Sequence, residues 1–300
     1  MEASRGQQTA INKNIFVVDL LTTLQKDRFS PLAWWRFIQR SWNMSCETAN
    51  VNPSLKHSWV RITMLMSVLM VGMCAAVYVF EGGNVALRLL PGFVFCVAWQ
   101  QSDLFWHLGL NRQAQTGKLL QKVGAANILT GLRGLAASFL LSRLISGLTT
   151  PVWLALLVFL VGVVTDILDG LVARCTKMQS KLGQIADGEA DFCLYLTLSS
   201  ILVQNDILPL WLGAMLVLRF FVPLLAALIS YFLFTHPVCF GSTVWGKYAG
   251  LAQCLYFFVL LAPPQFACIT RFVSLPLLIV TLMLVVVAPI AQIVTNVHGR

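Results

Sequence analysis

Apolar runs long enough to cross a bilayer recur from residue 59 almost to the end of the chain, and no other feature limits its fold so severely. A helix needs about 20 apolar residues to traverse about 30 Å of hydrocarbon. Such runs are placed at 59–80, 85–108, 125–147, 151–173, 184–204, 209–234, 246–263 and 272–295. In lipid, backbone N–H and C=O groups must be satisfied internally, which makes runs of this kind helices. A chain with 58% hydrophobic and only 11% charged residues is far from soluble-domain averages. The expected fold is an all-α integral membrane protein with eight spans, free of internal repeats and low-complexity stretches.

Basic residues set the orientation. With a cytoplasmic N-terminus, sixteen face the cytoplasm: Arg5, Lys13, Lys26, Arg28, Arg36, Arg40, Lys56, Arg61, Arg112, Lys118, Lys122, Arg174, Lys177, Lys181, Lys247 and Arg300. Only three, Arg88, Arg143 and Arg271, face the other side. This positive-inside pattern puts both termini on the cytoplasmic face. The net charge of +9 then reflects topology and attraction to anionic headgroups, not nucleic-acid binding. Residues 1–56 lack the pattern of a cleaved signal peptide, so the first span is expected to direct insertion. Within them, PLAWWRFIQRSW sets Leu32, Trp35, Ile38 and Trp42 on one helical face and Arg36, Arg40 and Asn43 on the other. That fits either a helix lying in the membrane interface or one docked on the rest of the protein. Eight cysteines without a C-x2-C pair read as small apolar fillers, and four dispersed histidines give no metal cluster.

The stretch DILDGLVARCTKMQSKLGQIADGEAD, residues 166–191, holds five of the twelve carboxylates at the joint between the fourth and fifth runs. Asp166 and Asp169 are three apart and share a helical face, continued by Gly170 and Ala173. Asp187 and Asp191, four apart, share a face at the start of the next span. An antiparallel hairpin turning around 175–182 sets the two pairs opposite each other. Four carboxylates facing one another at a membrane boundary repel, and neutralisation by protons or cations is nearly obligatory. An all-oxygen cluster favours hard divalent ions, Mg2+ or Mn2+. Two ions sharing such ligands suit in-line displacement at phosphorus. Gly170 and Gly183 remove side chains where a substrate or neighbouring backbone comes close. Arg174 offers a planar fork to phosphate oxygens, and Lys177, Ser180 and Lys181 add donors in the turn. A basic turn equally serves as a topological anchor.

The block reads Asp166-x2-Asp169-Gly170-x2-Ala173-Arg174-x8-Gly183-x3-Asp187-x3-Asp191, and in every fixed residue and spacing it resembles the signature of the CDP-alcohol phosphatidyltransferase family. NILTGLR at 127–133 looks like the segment opening that family's first core helix, and GKYAGLAQ at 246–253 is similar to the element opening its fifth. The resemblance implies a six-helix core at 125–300 after two additional transmembrane helices at 57–124 and a cytoplasmic or interfacial region at 1–56. It implies Mg2+- or Mn2+-dependent transfer of a phosphoalcohol group from a CDP-alcohol to an acceptor hydroxyl, with release of CMP, in phospholipid biosynthesis. Carried over by position, Asp166, Asp169, Asp187 and Asp191 bind two metal ions, and Asp191 also takes the acceptor's proton. Asn127, Thr130, Gly170, Arg174, Ser180 and Gly183 hold the nucleotide part of the donor. Arg219 and Lys247 stand on the acceptor side, although Arg219 is equally an anchor for a carbonyl or lipid phosphate. Partners implied are a CDP-linked lipid donor, a small alcohol and a second copy of the chain, in a bacterial inner membrane.

Where many family members have Asp-Pro-Leu-Ala-Asp, this chain has Asp187-Gly188-Glu189-Ala190-Asp191. Glu189 projects away from its aspartate neighbours and reads as a helix-start charge or salt-bridge partner. Asp103 and His107, four apart, are placed to form a local hydrogen-bonded pair, and with Gln100, Gln101 and Ser102 they are expected to tie helices together, the alternative being a substrate role. Two rival classes share some features. A membrane prenyltransferase uses paired aspartates, but in motifs far apart in the chain. A cation transporter more often buries carboxylates in broken helices of repeated halves.

Overall fold

The structure, a computed structural model, describes residues 21–113, 115–234 and 244–298. Arg5, Lys13, Cys239 and Arg300 lie outside the described residues. A short helical stretch at 21–26 is followed by α1 (Pro31–Val51), α2 (Pro53–Glu81) and α3 (Gly83–Trp106). Then come α4 (Ala125–Ile145), α5 (Val152–Cys175), α6 (Lys181–Gln204), α7 (Leu210–Phe234), α8 (Val244–Leu261) and α9 (Ala267–His298). The fold is all-α. Each expected span coincides with one of α2–α9.

Among the described residues, five segments are apolar and long enough to cross a membrane: Pro53–Glu81, Ala125–Ile145, Val152–Cys175, Val244–Leu261 and Pro264–Ala291. A shorter apolar segment, Leu210–Val222, lies in α7. Polar insertions dilute α3 and α6, namely Gln100 to Asp103 in the first and the acidic signature in the second.

Local chemistry explains the breaks. Ser30 caps α1 by accepting from Ala33 N at 3.3 Å, and Pro31 and Pro53 open α1 and α2, where a missing N–H costs nothing. Gly82 links α2 to α3 with a φ of +96°, which a side chain would disfavour.

Helix α4 is the axle of the bundle. It packs against α3, α5 and α6, and Arg133, Ala137, Leu140 and Ser142 on it are fully buried. Helices α8 and α9 pair with each other, and α9 also packs on α7. The polar end of α3 ties helices together as expected. Gln100 donates to Gly131 O at 3.2 Å, while Gln101 accepts from Thr63 Oγ1 at 3.1 Å and its carbonyl accepts from Trp59 Nε1 at 3.0 Å.

Helix α1 docks across the ends of α3 and α7. Ser45 Oγ donates to Trp106 O at 2.5 Å and Trp106 Nε1 to Ser41 Oγ at 2.7 Å. At its other end, Trp34 and Phe37 meet Phe232 with ring centroids 5.1 and 5.9 Å apart. Leu32, Trp35, Ile38 and Trp42 remain exposed on its outer side. Of the apolar row visible in the sequence, Trp42 takes part in the docking, its ring 5.2 Å from that of Phe105 and 6.2 Å from that of Trp106, while Trp34 and Phe37 belong to a different face.

Candidate active site

The signature folds as the hairpin that its spacing predicts, but the hairpin closes around a third helix. Asp166 and Asp169 lie on α5, Asp187 and Asp191 on α6, and between them stands Arg133 of α4, completely buried. Arg133 Nη1 contacts Asp166 Oδ1 at 2.5 Å, and its Nη2 lies 3.2 Å from Asp169 Oδ2 and also bonds Asp187 Oδ1. Asp191 Oδ1 is 3.3 Å from Arg133 Nε. That Nε nevertheless has no aligned hydrogen-bond partner, so Asp191 is the one carboxylate of the four that Arg133 attracts without a hydrogen bond. Thr130 Oγ1 adds a donor to Asp169 Oδ2 at 2.9 Å.

In the sequence, Arg133 enters only as the last residue of NILTGLR, with no role attached to it. The signal was present: an arginine inside an apolar run needs carboxylate partners, and Asn127, Thr130 and Arg133, spaced by three, fall along one stripe of the helix.

Four carboxylates against one guanidinium leave three formal negative charges without a partner in the cluster. One oxygen each from Asp166, Asp169 and Asp187 lies within 4.8 Å of the others, close enough to share a small cation. The donors are all oxygens, and Asp166 and Asp187 keep side-chain exposures of 51% and 45%, so the trio is open to solvent. These residues fit a hard divalent ion. Asp191, at 31%, sits beside the trio rather than in it.

The remaining expected site residues fall in two groups. Asn127 and Ser180 are buried beneath the turn. Ser180 caps α6 by accepting from Gly183 N at 3.1 Å. A Cβ on Gly183 would stand 2.9 Å from Asn127 Oδ1, so a glycine there lets α4 and α6 approach. Arg174 is exposed at the end of α5, with its guanidinium folded back over Gly170.

On the far side of the carboxylates, Arg219 of α7 donates to Gln253 Oε1 of α8 at 2.9 Å. It lies over the rings of Tyr195 and Phe220 at 5.7 and 4.5 Å. Lys247, exposed in the first turn of α8, has no contact that joins it to the cluster.

Glu189 has left the site, as its helical phase requires. It lies within hydrogen-bonding reach of Asp103 on α3, whose Oδ2 is 3.1 Å from His107 Nδ1.

Among known proteins, no curated protein and no solved structure matches the chain. The family model for CDP-alcohol phosphatidyltransferases matches residues 123–291, more than half of the chain and all of the helices that carry the carboxylates. The protein belongs to the CDP-alcohol phosphatidyltransferase family, integral membrane enzymes that transfer a phosphoalcohol from a CDP-alcohol donor to an alcohol acceptor.

Proposed function

We propose that this chain transfers a phosphatidyl group from a CDP-linked lipid to a small alcohol, with release of CMP, as a step of phospholipid biosynthesis. The observation that carries this reading is the trio of aspartate oxygens within 4.8 Å, negatively charged beyond what Arg133 offsets. Asp166, Asp169 and Asp187 would hold Mg2+ or Mn2+, with Asp191 completing the set for a second ion. Such ions supply charge neutralisation at the donor's pyrophosphate.

The protein's own residues do the rest. Asp191, attracted by Arg133 but not hydrogen-bonded to it, keeps a lone pair for the acceptor's hydroxyl proton. The acceptor oxygen then bonds the β-phosphorus, the bond from that phosphorus to the bridging oxygen breaks, and CMP leaves with the electron pair. Arg174, at the open end of α5, reaches for the donor's phosphate oxygens. Asn127, Thr130, Gly170, Ser180 and Gly183 shape the nucleotide side. Arg219, held between Gln253 and two aromatic rings, faces the acceptor, with Lys247 at the mouth.

The positive-inside pattern supports a site and termini on the cytoplasmic side of a cell inner membrane. The family resemblance supports a homodimer. The test is CMP release by purified protein with Mn2+ or Mg2+, CDP-diacylglycerol and glycerol 3-phosphate, inositol, inositol 1-phosphate, serine or choline. Release with one acceptor, lost in Asp191→Asn, supports the reading. Silence with every acceptor, followed by release from a CDP-amine, replaces the phosphatidyl donor.

A further inference from the structure

Residues ahead of the matched region reach the signature at two places. In the α3–α4 connection, Gln113 Nε2 donates to Lys177 O at 3.0 Å, and the Gln113 backbone pairs with Ser180 in an isolated antiparallel bridge. Lys177 has a left-handed φ of 54°, which a non-glycine residue keeps only when its surroundings hold it. The connection that supplies this hold is itself tied down. Buried Asn111 donates to Lys122 O at 3.0 Å, and Arg112 pairs with Leu119 and donates to Gly117 O at 3.1 Å. The same stretch makes a second contact, where the one-turn helix Leu108–Leu110 packs on α6.

These contacts matter because α5 and α6 touch each other far less than each touches α4. The register between the two aspartate pairs is therefore set from outside the hairpin, by α4 on one side and by the α3 end and its connection on the other.

We propose that residues 108–113 are a positioning element of the active site. Gln113 holds the α5–α6 turn, the Leu108–Leu110 helix packs on α6, and together they keep Asp187 and Asp191 in place against Asp166 and Asp169. The proposal rests on the reading of these aspartates as metal ligands.

The test uses full-length protein in detergent, with Mn2+ as the probe. Amide hydrogen exchange is followed in metal-free protein, and Mn2+ affinity is read from the electron paramagnetic resonance of the free ion. Gln113→Ala should speed exchange across 176–184 and weaken Mn2+ binding about fivefold, the scale of one lost hydrogen bond. Asn111→Ala, which frees the connection from Lys122 O, should weaken Mn2+ binding similarly, whereas Lys118→Ala, at an exposed side chain of the same connection, should not. If Gln113→Ala and Asn111→Ala exchange and bind as the parent does, the positioning role is overturned while the metal site stands. If the parent protein itself binds no Mn2+, the metal-ligand reading fails and the positioning role fails with it. Should Asn111→Ala not fold, Gln113→Glu, which keeps the side chain's shape but loses the donor to Lys177 O, takes its place, and the same two measurements decide.

Discussion

Arg133 and Arg143 lie on the same buried helix, α4, yet their surroundings have opposite designs. Arg143 grips Glu81 of α2 with two bonds, of 2.6 and 2.9 Å, and gives a third to Thr149 O at 2.8 Å. One cation meets one anion there, and the fork geometry closes the site to anything else. Arg133 meets four carboxylates and satisfies none of them fully. A balanced pair is scaffold, and an unbalanced cluster waits for more positive charge.

The comparison is open to attack at both ends. Arg133→Met leaves four carboxylates facing one another and should cost about 3–5 kcal/mol, read by thermal unfolding in detergent. Added Mn2+ should recover part of that loss, and failure to recover any would mean that the carboxylates cannot share a metal. Asp187→Asn takes one member from the metal trio, and CMP release should fall more than about 100-fold. Thr130→Val keeps the shape but removes the donor to Asp169. Mn2+ binding should weaken about tenfold, while Tm changes little. The smallest effect is expected at the balanced pair. Arg143→Met leaves Glu81 with a side-chain exposure of 36%, so water can take over the solvation of its carboxylate. A cost of about 1 kcal/mol with unchanged CMP release is expected. A large loss of release there would end the distinction between the two arginines.

What was legible in the sequence was everything that one helix decides alone. Helix positions followed from apolar run length, and the shared faces of Asp166 with Asp169 and of Asp187 with Asp191 followed from helical phase. The outward projection of Glu189 followed in the same way. What stayed hidden required knowing which helix stands beside which. Arg133 lies 33 residues before Asp166 and 54 before Asp187, and no spacing rule spans that distance. Gln113 lies 64 residues before Lys177 in a connection with no apolar period to read. The outer row of α1 was visible as amphipathic, but the inner contacts of Trp34 and Phe37 depend on Phe232, 195 or more positions away.

The buried guanidinium between the aspartates also bears on how such a protein is made. A site built only of repelling carboxylates couples folding to metal, because the empty form resists closure. Here the chain brings its own cation on α4, so the helices can insert and assemble before any ion arrives. On the metal-dependent reading proposed above, biogenesis and metal loading become separate events, and a cell short of the metal would accumulate finished, idle enzyme rather than misfolded chains.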